Sequence, residues 1–483
     1  MKNSRIGKLL SAVLCVLMLI MMLVSCNKKQ PEPVETDESE TNIPPIDYVP
    51  KYNRFNDYGG YEFCFLTQVP KSGENEVDYL ISNGEVSEVI SNAVYRRNNV
   101  LKTHLNIEFK QKQVLDIVST VRTQVMGGEI DFDVVVADAE SLAVLARERV
   151  LLDLNSVDSF EQSKGWWDRS AAEQLTVGGK LYFTNCDLNV GEFGNVIYFN
   201  KEIIKCFDLT SPYEYIKYNE WTIDNWAKLV SEANGVCACG SVDKYGMLYE
   251  KKNDLMFLQG AGLNPISRSK YGDFMLNEEK VTEAKSVYEK LRGIFDSEYS
   301  WNMDDMDSAD VHGYANKYDY ARSLFCQDVI LFAYGGTGIV NQFEDMESEY
   351  GIVPFPKIDE KQESYYSLYP SNANLIALPA CLSEVAIDRA VDVLSGLNYY
   401  SSVVVKPAWY DKLLQRRYVR DDESEFCLDL LYYNRVYDVG LYYGLYDSVV
   451  PKEDRVFSEA QYKAIGDNLK KVLEGLNQKY YID

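Results

Sequence analysis

Between residues 61 and 400 the apolar positions fall into compact runs that alternate with stretches of helical spacing. That alternation predicts strands followed by crossover helices. Residues 61–67 are an apolar run closed by Gln68, Val69 and Pro70, and Val86, Val89, Ile90, Ala93 and Val94 recur at helical spacing before a short strand at 106–109. Residues 114–126 read as a helix stopped by Gly127 and Gly128, 131–137 as a buried strand ending at Asp138, 142–147 as the next helix and 150–154 as a further short strand. The series predicts one doubly wound α/β lobe with a largely parallel sheet.

Farther along, residues 178–183 and 195–199 read as extended segments, and Trp221-Thr222 opens a helix with Thr222 as its cap. Val281, Ala284, Val287, Tyr288, Leu291, Ile294 and Phe295 mark a long amphipathic helix. Strands are expected at 329–334, 350–354 and 374–378, with a helix at 383–397. Ser458 and Gln461 form a capping box for a last helix with Tyr462, Ile465, Leu469, Val472, Leu473 and Leu476 on its stripe.

The first 57 residues follow neither pattern. Lys2, Arg5 and Lys8 precede an apolar stretch over 9–24 and a small Ser25, which together read as a secretory signal over 1–25. Residues 26–57 place five prolines among acids with little apolar content, the composition of an extended tether.

Composition narrows the chemistry. Lys and Arg total 49 against 74 Asp and Glu, a net charge of −25, which disfavours nucleic acid and anionic lipid as partners. With only His104 and His312, a His-rich zinc site is excluded, and a Ser-His-Asp or Cys-His system would need one of these two; an ordinary structural histidine is the expectation for both. Aromatic residues reach 13%, led by 37 tyrosines, which suit core packing and also polar ring-shaped ligands. Eight cysteines follow Cys26, several inside apolar runs, and free thiols are expected ahead of disulfides. The acids at Asp304, Asp305, Asp307 and Asp310 lack EF-hand spacing and read as a solvated loop, so no metal and no cofactor is expected.

Leu23-Val24-Ser25-Cys26 resembles the bacterial lipobox, in which the cysteine is lipidated and anchors the protein to a membrane. Five passages in the body, in the same order, resemble the extracellular solute-binding proteins of family 1, sugar-type receptors of ABC importers. They are Asp131 to Val136 with Leu142-Ala143 and Leu151 to Leu154, then Gly179 to Tyr182 through Val196 to Lys201, Trp221-Thr222, Tyr350 to Lys357, and Asn374 to Pro379. The resemblance implies two doubly wound α/β lobes joined by crossing strands, the periplasmic-binding-protein-like type II fold. Lobe 1 would span 58–190 plus 355–398 and lobe 2 196–350 plus 400–483, with crossings near 189–196, 350–357 and 398–404.

Open α/β sheets bind ligands at the carboxyl ends of their strands, which selects Gln68 and the loop of Asp138 and Glu140; a helix cap is the competing role for Asp138. Family analogy adds Asn185, Asp187 and Asn195 near the first crossing, within a polar group that also holds Asn189 and Glu192. Tyr334 with Gly335, Tyr369 and Trp409 are the stacking candidates, against an ordinary place in the core. The implied function is capture of a carbohydrate, without catalysis, by a monomer that delivers it to ABC permease subunits. A surface glycoside hydrolase with paired carboxylates and a receptor for a peptide or other solute are the alternatives.

Overall fold

The computed structural model describes residues 56–69, 79–82, 89–189, 192, 194–237, 242–250, 253–264, 266–268, 274–306, 311–343, 346–415 and 422–444, with three isolated positions near the C-terminus. The leader, the lipobox, the tether up to residue 55 and the Ser458–Gln461 capping box lie outside these residues.

Strands β1 (Tyr61–Gln68), β2 (Ile107–Val114) and β3 (Val134–Asp138) run parallel, with β1 between the other two. Val134, Val135 and Val136 are buried to 2% exposure or less, as a strand covered on both faces requires. The helix Ile117–Gly127 starts where the Asp116 carboxylate accepts from Ser119 N at 2.9 Å and stops at Gly128, whose φ of 74° a glycine supplies without strain.

The second sheet takes β4 (Asn195–Asn200), β5 (Gly235–Val236) and β6 (Asp243–Tyr249), then, after a hairpin of β7 (Ile266–Arg268) and β8 (Phe274–Leu276), β9 (Ser300–Asn302), β10 (Ile330–Gly336) and β11 (Tyr350–Val353). Its order is β11-β4-β10-β6-β5, and β9 also pairs with β6. Trp221, Trp226, Phe257, Phe295 and Phe355 fill its core, and Trp221 Nε1 donates to Pro354 O at 2.8 Å. Thr222 caps the helix Ile223–Glu232 as its position predicts.

The chain then passes through a two-residue strand β12 (Ser367–Leu368) and returns to the first sheet as β13 (Asn374–Ala377), antiparallel to β3 with Asn374 opposite Asp138. The helix Glu384–Tyr400 leads through a π-helical stretch, Ser401–Val405, into Lys406–Gln415. After the helix Asp422–Tyr433, β14 (Arg435–Val436) pairs with β12.

The first sheet is largely parallel, with β13 at its edge running against β3, whereas the second is mixed, β4 running against both β10 and β11. Two expected strands are irregular. Leu151 makes a single bridge to Pro379 before Asp153 caps the 3₁₀ turn Leu154–Ser156, and residues 178–183 form a turn closed by the Val177–Lys180 bridge. Short apolar runs beside glycines or caps supply burial without a ladder partner. The cysteine expectation is corrected at one position. Cys64, Cys186, Cys237, Cys326, Cys381 and Cys427 stand outside disulfides, whereas Cys206 is disulfide-bonded. Among the described residues no helix is long and apolar enough to cross a membrane.

Candidate functional site

The two sheets present their strand ends to the segments that cross between them. In the first lobe the parallel strands end at Gln68, Val114 and Asp138, and β13 begins at Asn374 on the same edge. Gln68 is partly exposed and Glu140 exposed. Asp138 caps the helix Ala139–Arg147: Oδ1 accepts from Ser141 N and Oδ2 from Ser141 Oγ, both at 2.8 Å. A carboxylate oxygen has more than one acceptor direction, so the cap leaves capacity for a further donor.

In the second lobe β10 ends at Gly336 opposite Asn195, where β4 begins, and β6 ends on the same side at Tyr249. Asn195 is buried; its Nδ2 donates to Leu368 O at 3.0 Å and its carbonyl accepts from Ser367 Oγ at 2.6 Å.

Amide side chains from the first crossing connect these edges. Asn189 Nδ2 donates to Asn374 O at 2.8 Å and to Asn185 Oδ1 at 3.1 Å, and Asn185 Nδ2 donates to Tyr437 Oη at 2.7 Å. Asp187 accepts from Tyr432 Oη at 2.9 Å and lies 3.6 Å from Lys406 Nζ. Its Oδ2 has no hydrogen-bond partner among the described residues, and burial raises its carboxyl above the ordinary range.

Glu192 is the most constrained acid of the crossing. Its Oε1 accepts from Gly194 N at 2.8 Å and from both Thr337 N and Thr337 Oγ1 at 3.2 Å. Its Oε2 fills the space a Cβ on Gly336 would need, so a larger residue there would have to displace the carboxylate. Burial pushes the Glu192 carboxyl up to about 7 despite these donors. The group therefore changes charge near neutrality.

The aromatic candidates have interior places. Tyr334 stacks on Phe355 with centroids 5.9 Å apart and meets Phe257 edge-on, and the Cβ space at neighbouring Gly335 is taken by Ile339. Tyr369 is fully buried 4.9 Å from Tyr437, and Trp409 sits in a core group with Val94 and Leu428. Asn185 and Asp187 thus lie just before the first crossing, Asn195 bonds Ser367 and Leu368 at the start of β4, Gln68, Asp138 and Glu140 stand at the first-lobe edge, and Trp409 packs in a core group that also holds Val196.

Beneath the crossing runs a network that sequence reasoning missed. Arg435 Nη2 pairs with Asp168 Oδ2 at 2.7 Å, with both side chains at most 6% exposed, and Tyr437 Oη donates to the same oxygen at 2.5 Å. The partners stand more than 260 residues apart, and no local pattern pairs them. Among the described residues no group of three or more potential metal-ligating side chains is present.

The fold is shared with solved structures at low identity. A sugar transporter of Rhizobium etli in an open conformation aligns with a TM-score of 0.54 at 16% identity, over 88% of this chain and all of that one. UspC of M. tuberculosis aligns at 0.51 and 14%, over 86% of this chain and all of its own, and the apo-form of RafE from Streptococcus pneumoniae at 0.50 and 13%, over 87% and 96%. No curated protein sequence matches the chain. A profile described as bacterial extracellular solute-binding protein matches residues 101–397, more than half of the chain, and that description is one of binding outside the cytoplasm rather than of catalysis. With both lobes and the crossings in the arrangement of that fold, the chain belongs to the bacterial extracellular solute-binding protein family.

Proposed function

We propose that this protein captures a carbohydrate between its two lobes and delivers it to the permease subunits of an ABC importer. The reading is supported by polar side chains at the first-lobe strand edge and the first crossing: Asn374 stands opposite Asp138 at the strand end, where open α/β sheets bind ligands, and its carbonyl accepts from Asn189, which also bonds Asn185. Such groups match the mixed donor and acceptor demand of neutral hydroxyls. The Rhizobium etli structure of the same fold, named a sugar transporter, supports the choice of substrate class.

Lobe 1 is assigned to 58–190 with 355–398 and lobe 2 to 196–350 with 400–483. Gln68, Asp138, Glu140, Asn185, Asp187, Asn195, Tyr334, Gly335, Tyr369 and Trp409 are the proposed ligand-facing set, to which Glu192 is added. The aromatic members need the lobes to rearrange before they meet a ligand. Cys26 is the proposed lipid attachment point, residues 27–57 the tether, and the working unit a monomer without cofactor.

The test is titration of the purified protein with an oligosaccharide panel, read by tryptophan emission and melting temperature. A ligand at a hundredfold excess over its Kd adds about 2.7 kcal/mol to the folded state, which should raise Tm by a few degrees. No response to any glycan would overturn the reading. A response to peptides alone would favour a peptide receptor, and release of reducing ends a hydrolase.

A further inference from the structure

The stretch 435–444 lies within the range assigned above to lobe 2, yet its contacts divide between the lobes. On the side of the first lobe, Arg435 pairs with Asp168, and its carbonyl accepts from Ser170 Oγ at 3.2 Å and Gln174 Nε2 at 3.0 Å. Tyr437 donates its N–H to Gln174 Oε1 at 2.8 Å and its hydroxyl to Asp168. The short helix Val439–Tyr442 packs on Ala139–Arg147, the helix that starts at the first-lobe strand edge.

On the side of the second lobe, Asp438 accepts from Gln259 Nε2, and Leu441 packs against the core that holds Trp226 and Phe257. Tyr443 lies between the lobes, its ring centroid 6.4 Å from Phe183 and 6.2 Å from Phe274. The crossing is held as well: β14 pairs with β12, and Tyr442 Oη donates to Tyr369 O at 2.7 Å. Tyr437, Asp438, Val439, Tyr442 and Tyr443 are all at most 5% exposed.

We propose that residues 435–444 form an interlobe strap, fastened firmly to the first lobe, that must release Gln259 and Phe274 before the two lobes can separate. The asymmetry of the fastening sets which side gives way. The first-lobe side holds a buried ion pair, the buried Tyr437–Asp168 hydrogen bond and further bonds to the partly buried Ser170 and Gln174, costly to break together. Among the described residues the second-lobe side is fastened by the Gln259–Asp438 hydrogen bond and by apolar contacts of Leu441 and Tyr443. Gln259 is 1% exposed, its Oε1 has no partner among the described residues, and its Nε2 donates to Asp438 across the lobes. Hinge opening is then a two-part event: rotation at the crossings, and departure of the strap from the second lobe with the first. The lobes' solute enters only as fast as that release permits.

The test is hydrogen exchange and small-angle X-ray scattering on the ligand-free full chain, so its outcome is independent of which solute the site takes. Gln259→Leu removes the hydrogen bond while keeping apolar volume, and Gln259→Glu sets a second carboxylate against Asp438. In Gln259→Leu the amides of 440–443 should exchange about tenfold faster, the scale of one lost hydrogen bond, and in Gln259→Glu faster still, with a larger radius of gyration. Amides of β1 and β3 serve as the internal reference and should keep their parent rates. Unchanged exchange at 440–443 in both variants, or acceleration shared equally with β1 and β3, would overturn the strap.

Discussion

At the scale of single residues, Asp138 carries two roles that one substitution can separate. As a cap it holds Ser141 N and Ser141 Oγ; as a strand-end carboxylate it faces the proposed ligand. Asp138→Ala should cost about 1 kcal/mol of stability through the lost cap. Asp138→Ser keeps a capping oxygen, so its urea midpoint should match the parent. If the carboxylate also binds ligand hydroxyls, the same serine variant should bind the responding glycan roughly tenfold to a hundredfold more weakly, as loss of hydrogen bonds to a charged group implies. Calorimetry beside denaturation reads both. Parent-like affinity in Asp138→Ser would leave Asp138 a cap alone. This position was legible in the sequence because an acid ending a buried apolar run marks both a strand end and a helix start. Asp168 was not, since its partners Arg435 and Tyr437 come from a segment whose pairing is decided only by tertiary packing.

At the scale of elements, the strands with both faces covered and the helices with side-chain caps were readable from pattern. β1, β3, β10 and the helix from Ser383 follow the run lengths and caps closely. The segment expected near 398–404 to cross between the lobes is helical: Ser401–Val405 is a π-helical stretch inside an otherwise continuous helical run. Its wider turn has a visible tie. Fully buried Arg97 donates from Nη1 to Ser401 Oγ at 3.0 Å and from Nη2 to the carbonyls of Tyr79 and Leu80 at 2.7 and 2.8 Å. Hydrophobic spacing carries no information about a guanidinium that meets a hydroxyl three hundred residues away. Arg97→Met should cost about 2 kcal/mol, because it strands the Tyr79 carbonyl and the Ser401 hydroxyl, while Leu80 O keeps its bond from Asn98 Nδ2 at 2.8 Å. Faster exchange should then be confined to 79–82 and the helical run around 401–405. A loss below about 0.5 kcal/mol by urea denaturation would mean that the π-helical stretch stands without Arg97.

At the scale of the whole molecule, the acids outnumber the bases by 25, so acidification changes many groups at once, and a single carboxyl is seen only as a difference between parent and variant. Glu192 is the group to isolate, since it bonds the first crossing to the loop after β10. Its folded-state value, raised to about 7 from an ordinary 4.5, means the folded protein holds this proton more tightly than the unfolded chain. Stability from this group is therefore full below about 4.5, declines as pH rises toward 7 and stays lower above it. Glu192→Gln keeps an acceptor for Thr337 and Gly194 and removes the buried charge. The melting temperatures of parent and variant should thus lie close together at pH 4.5 and diverge toward pH 8, with the variant the higher. Because Glu192 sits where the crossing meets the second-lobe edge, affinity for the solute should turn over in the same interval in the parent and be flat in the variant. A constant offset in Tm between the two proteins from pH 4.5 to 8 would show that Glu192 does not titrate there, and would remove the crossing as a source of pH dependence in solute capture.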